Sequence, residues 1–162
     1  MDNTIIIRQI TATDNAALAA IIRTALEEFK ANKPGTVYFD ITTDNLFDVF
    51  KTAGSIYFVA EAQGIILGGA GIYPTQNLPH STCELVKLYL SNAARGKGLG
   101  KLLMQKCFEA AKNLGYNNIY LETMPELNIA VPLYEKLGFA YLQAPLGSSG
   151  HTGCNIWMLK KL

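Results

Sequence analysis

The stretch Thr82–Lys101, TCELVKLYLSNAARGKGLGK, joins two hydrophobic patterns through a glycine-rich turn. Cys83 to Leu90 is an apolar and β-branched run broken at intervals by polar residues, which predicts a strand buried on at least one face. After Gly98 the period changes. Leu99, Leu103, Cys107, Ala110 and Leu114 recur every three to four residues, with Lys101, Gln105, Glu109 and Lys112 opposite them, so an amphipathic helix follows. The first amides of a helix lack intrahelical partners and lie at the positive end of its dipole, where they can hold an anion. Gly96, Gly98 and Gly100 carry no Cβ to block an approaching phosphate, and Arg95, Lys97 and Lys101 add positive charge, so the turn reads as a pyrophosphate cradle.

Other glycine-rich loops are excluded by spacing. The triphosphatase loop requires GxxxxGK followed by Ser or Thr, and the chain has no such string. The dinucleotide fingerprint requires GxGxxG inside a βαβ unit, whereas here the third glycine comes too early. The stretch resembles instead the acyl-CoA site of the GCN5-related N-acetyltransferase (GNAT) superfamily. That signature is Arg or Gln, two residues, Gly, one residue, then Gly or Ala, and Arg95, Gly98 and Gly100 fit it with Leu90 at the usual strand end. A second resemblance is LYEKLGF, Leu133–Phe139, the string with which the superfamily ends its last helix. The family often has Asn seven residues before the Tyr of that string; here Leu127 holds the position and Asn128 is beside it.

The remaining pattern fits this frame. Thr4 to Ile10 predicts a strand, and Ala16 to Phe29 a helix capped by Thr13 or Asp14. Tyr38 to Thr43 is ambiguous, and Leu46 to Phe50 predicts a short helix ending by Gly54. Ser55–Ala62 and Ile65–Tyr73 predict a hairpin turning at Gln63 and Gly64, with Gly68, Gly69 and Gly71 weakening the second strand or marking close backbone approach. Asn118–Met124 predicts a strand and Asn128–Leu137 a helix that Pro132 forces to start late or kink; Phe139–Leu142 and Ile156–Leu159 predict the last strands. The resemblance implies an α/β (α+β) GNAT fold over residues 1–162 as one domain, a mixed sheet of about seven strands flanked by about four helices.

At 162 residues and 49% hydrophobic, the chain can bury one sizeable core. A net charge of +1 without blocks of like charge argues against a nucleic-acid surface. Cys83, Cys107 and Cys154 cannot all pair and match no zinc spacing, no run is long enough to span a membrane, and the N-terminus lacks a secretory pattern; the expectation is a cytoplasmic protein without a metal.

The resemblance implies an acetyl-CoA-dependent N-acetyltransferase in which a primary amine of a small molecule or protein attacks the thioester directly. Under it, Leu88, Tyr89 and Leu90 hold the pantetheine arm, Arg95, Gly96, Lys97, Gly98, Gly100 and Lys101 hold the diphosphate, and Asn128 is a further cofactor contact. Glu84 is the candidate base: strand alternation puts it on one face with Leu88 and Leu90, and the plain alternative is a rim Glu paired with a lysine. Tyr134 is the candidate acid, against the alternative of a core aromatic. Tyr38, Asp40 and His151 are candidate acceptor contacts, although loop packing or an exposed loop position would explain each. Alternation points Cys83 away from Glu84, and no cysteine is a preferred nucleophile. A non-catalytic acyl-CoA sensor and an enzyme using another pyrophosphate stay open as alternatives, as does a homodimer paired through the last strands.

Overall fold

The computed structural model describes residues 4–162. Seven strands form one sheet in the order β1-β2-β3-β4-β5-β7-β6. They are β1 Ile6–Gln9, β2 Ile56–Ala62, β3 Ile65–Tyr73, β4 Thr82–Leu90, β5 Asn118–Thr123, β6 Ala140–Leu142 and β7 Ile156–Lys161. The helices are α1 Asn15–Glu28, α2 Leu46–Val49, α3 Leu99–Asn113 and α4 Ala130–Lys136. One face of the sheet packs on α1 through Leu18, Ile22, Leu26, Tyr57 and Val59. The other packs on α3 and α4 through Leu99, Leu103, Cys107, Tyr134 and Phe139. The expected fold class is therefore the observed one.

Local details follow from side-chain competition. Asp14 precedes α1, as expected of a cap, yet its carboxylate accepts from the Thr11 amide at 2.7 Å and from both Arg8 terminal nitrogens at 2.8 and 2.9 Å instead of from α1. Those bonds close the entry turn and tie it to β1. The ambiguous Tyr38–Thr43 segment forms two 3₁₀ turns, Val37–Phe39 and Ile41–Asp44, the second capped by Asp40. At the β2–β3 hairpin Gln63 and Gly64 both take positive φ, 51° and 78°, as a type I′ turn requires. The late start of α4 puts Pro132 in its first turn, where the missing N–H has no helical acceptor to lose.

Two irregularities shape β4. It is antiparallel to β3 but parallel to β5, and the parallel pairing runs only from Thr82–Asn118 to Glu84–Tyr120. Beyond Glu84 the two strands part, and the β5-facing edge of β4 is left unpaired. The second irregularity is a bulge. Val86 lies opposite Gly71 and Tyr89 opposite Gly69, so three steps on β4 match two on β3, and Lys87 takes a φ of 53°. This overturns the expected alternation. Cys83 and Leu85 pack on the α3 side, and after the extra residue Leu88 and Leu90 do so as well, while Tyr89 packs on the α1 side. Glu84 is thus on the face opposite Leu88 and Leu90, not the same one.

The glycines of β3 explain how the bulge is held. A Cβ on Gly69 would sit 2.5 Å from the Tyr57 ring, and one on Gly71 2.6 Å from it. Tyr57 therefore lies flat across these two positions, fully buried, and its hydroxyl donates to the Lys87 carbonyl at 2.8 Å. Close approach is the reading that survives for these two glycines.

Candidate active site

The fork between β4 and β5 opens a cleft walled by Leu88, Tyr89, Leu90, Leu121, Leu127, Leu133 and Tyr134, with Arg95 and Gly100 at one end. That end is the turn into α3. Gly96 and Gly98 both take a φ of 75°, and a Cβ at either would meet nothing within 4 Å. Among the described residues, the amides of Gly96 through Lys101 donate to no protein acceptor, whereas Arg95 N still bonds Asn92 O and Leu102 N bonds Gly98 O. Successive free amides at a helix start form a concave donor set that matches phosphate oxygens. Lys97 and Lys101 are exposed beside it. Gly100 faces the cleft between Leu90 and Leu133, where a Cβ would make ordinary contacts at 3.8 and 3.5 Å.

Arg95 and Asn128 stand differently from the expectation. The Arg95 guanidinium is turned to α1, donating to Glu28 at 2.5 Å and to Leu90 O at 3.1 Å, and it lies 4.9 Å from the Phe29 ring centre. Its charge is satisfied by the protein, and it clamps the end of β4 to α1 rather than adding free charge to the turn. Asn128 is exposed in the turn before α4, because the Leu127 N to Met124 O bond turns Leu127 inward to line the cleft in its place.

At the fork itself lies Glu84, 4% exposed. Its Oε1 accepts from Thr75 Oγ1 at 2.6 Å. Burial pushes its carboxyl up to about 7, with Glu122 adding to the rise and the Thr75 hydrogen bond and Lys87 opposing it. Glu122 and His151 bring ligand atoms within 4.8 Å of Glu84 and of each other. Glu122 accepts from Tyr120 at 2.6 Å and from Ser149. His151 Nε2 is 3.5 Å from Asp40 Oδ2, and burial together with Lys87 lowers its pKa, so the ring is neutral at pH 7. His151 is partly buried, not an exposed loop residue.

Glu84 and His151 border a second pocket, lined also by Asp40, Phe50, Tyr73, Thr75, Lys87 and Ser149, while Glu122 lines the cleft and the small pocket between the two. Tyr38 is not brought to it: its hydroxyl donates to Glu27 at 2.5 Å and its ring packs against the α1-side core. Sequence reasoning missed Glu122, Lys87 and Thr123. Glu122 was visible as a lone charge within an apolar strand, and Lys87 as the one charge beside Glu84 in β4. Thr123 lines the cleft with a buried Oγ1 that has no partner among the described residues, and no sequence signal marks it.

Tyr134 is 7% exposed and reaches the cleft from α4, its ring edge-on to Phe139. Burial raises its hydroxyl well above the usual phenol range, so it keeps its proton. Burial also pushes the Cys83 and Cys154 thiols up to about 12, and Cys107 higher still, which leaves no thiolate to act as a nucleophile.

A seven-stranded mixed sheet forked beside a glycine-rich helix start defines the class. Residues 18–139 match the family model described as Acetyltransferase (GNAT) family. The chain is 40% identical to the uncharacterized N-acetyltransferase YjgM of Escherichia coli (strain K12) over 159 residues, 97% of this chain and 95% of that one. It is 32% identical to human N-acetyltransferase 8B over 118 residues, covering 68% of this chain and 52% of the human protein. Among solved structures, an acetyltransferase of the GNAT family from Staphylococcus aureus MU50 superposes with a TM-score of 0.87 at 20% identity, over 98% of this chain and 99% of that one. The PaiA N-acetyltransferase of Thermoplasma acidophilum, solved in complex with coenzyme A, gives 0.77 at 18% identity over the same shares. The chain belongs to the acetyltransferase (GNAT) family and is by family an acyltransferase.

Proposed function

We propose that this protein transfers the acetyl group of acetyl-CoA to a primary amine by direct attack, both substrates bound together. The observation that carries the reading is the fork: β4 and β5 separate immediately after Glu84, so a cleft ending in free amides meets, at Lys87 and Glu122, a small pocket that the buried Glu84 carboxylate lines. The six unpartnered amides and the Cβ-free space around Gly96 and Gly98 fit a diphosphate, and the apolar walls fit a pantetheine arm. In this reading Glu84 takes the proton of the incoming ammonium, directly or through a water, which a group titrating near 7 does well at neutral pH. The unpaired amides at the edge of β4 polarise the thioester carbonyl, and the Tyr134 hydroxyl donates to the departing sulfur. Positioning supplies much of the rate.

The test is release of free CoA from acetyl-CoA by purified protein across a broad panel of amines. Turnover with at least one amine, lowered by roughly 10²- to 10⁴-fold in Glu84→Gln, is expected. Tight acetyl-CoA binding with no turnover would make the chain a binding module instead.

A further inference from the structure

Lys87 stands where the donor cleft, the acceptor-side pocket and the small pocket between them meet, and it lines all three. It is the bulge residue of β4, held at a φ of 53° by the Tyr57 hydroxyl on its carbonyl. Non-glycine residues rarely keep that conformation, and those that do cluster at functional sites. Its side chain is half-buried, and desolvation pulls its pKa down while Asp40 and Glu84 raise it.

Among the described residues the Lys87 ammonium makes no ion pair and no hydrogen bond, although Asp40 and Glu84 act on it electrostatically and Glu122 lines two of the same pockets. Each of those carboxylates is engaged elsewhere. Asp40 accepts from the Thr42 amide and hydroxyl and faces His151. Glu84 accepts from Thr75, and Glu122 from Tyr120 and Ser149. A half-buried cation is costly to leave unpaired, so its retention where three pockets meet points to an anionic group arriving with a ligand.

We infer that the acceptor amine carries a carboxylate close to its nitrogen, an α-amino acid being the simplest case, with that carboxylate on Lys87 and the amine toward Glu84. The inference rests on the acetyltransferase reading and narrows its acceptor. A zwitterion offers each charge of the pocket its opposite, whereas a plain alkylamine would place a second cation beside Lys87. Phe50 and Tyr73, 5.9 Å apart between ring centres, give an aromatic wall for the acceptor's side chain. In the transfer the ammonium gives one proton to Glu84, the nitrogen–acetyl bond forms as the carbon–sulfur bond breaks, Tyr134 protonates the sulfur so that CoA leaves as the thiol, and the second nitrogen proton replaces the one that Tyr134 gave. The carboxylate takes no part in the covalent step.

Matched acceptors test this: L-phenylalanine against 2-phenylethylamine and L-leucine against isopentylamine, followed by CoA release. Wild-type kcat/KM is expected to favour the carboxylate-bearing member of each pair by tenfold or more. Lys87→Met should collapse that ratio toward one, mainly through KM, and Lys87→Arg should retain part of it. Equal or better turnover of the plain amines by the wild type would overturn the inference while leaving the acetyltransferase reading intact, and this comparison needs no variant. A ratio unchanged in Lys87→Met would overturn the role of Lys87. No CoA release with any acceptor would remove both readings.

Discussion

The two sides of the fork are built by different means. The donor side is backbone: one continuous run from Leu88 to Lys101 supplies a strand edge and six free amides, and the surrounding side chains are mainly apolar walls. The acceptor side is made of side chains. Asp40, Thr75, Glu84 with Lys87, Glu122 and His151 come from five segments distant in sequence, and their charges act on one another. A backbone site suits a ligand that never changes, because few substitutions can alter it. A site of coupled side chains can be retuned one residue at a time, so selectivity belongs there.

Three perturbations sharpen this contrast. The largest effect is expected from Glu84→Gln, an isosteric change that removes the buried carboxylate without touching the cradle. It should lower kcat by roughly 10²- to 10⁴-fold and leave acetyl-CoA affinity unchanged by calorimetry. The pH profile gives a second readout. With its pKa raised to about 7, Glu84 keeps its proton below that pH and cannot accept another, so wild-type kcat/KM should rise with pH up to a limb near 7. That limb should vanish in the Gln variant.

Next comes Gly98→Val. No atom lies within 4 Å of the added Cβ, so the damage comes from forcing a β-branched residue to a φ of 75°. A strain of about 1–3 kcal/mol should weaken acetyl-CoA binding by roughly 10- to 100-fold, with little change in the pH limb. Gly100→Ala, whose Cβ makes only ordinary contacts, is the control. Unchanged affinity in Gly98→Val would remove the cradle. The smallest effect is expected from Tyr134→Phe, a loss of about tenfold in kcat at constant acetyl-CoA affinity; equal losses in both would mean that the ring only packs.

The same division decided what could be read before folding. The donor side is local, and a change of hydrophobic period at a glycine-rich turn is visible in twenty consecutive residues. Arg95 is the exception, since its partner Glu28 is 67 residues away and nothing in its own segment reveals the clamp. On the acceptor side, Glu84 was recognised but assigned to the wrong face, because a bulge is a mismatch between two strands and cannot be seen in one. Lys87 was passed over for the same reason. Tyr38 looked available for a ligand until its hydroxyl was found on Glu27 of the preceding helix. The order of elements along the chain and the helix positions survived these errors, because burial periodicity does not depend on which particular polar partner a residue finds.

The extra residue in β4 has a geometric result for the proposed chemistry. Upstream and downstream of Lys87 the strand runs in two different frames, so the nucleophile's side and the thioester's side belong to opposite surfaces of one sheet. The reactants can then meet only through the gap that β5 vacates. Excising a single residue there would merge the frames and seal the encounter, with every reactive group still present in the chain.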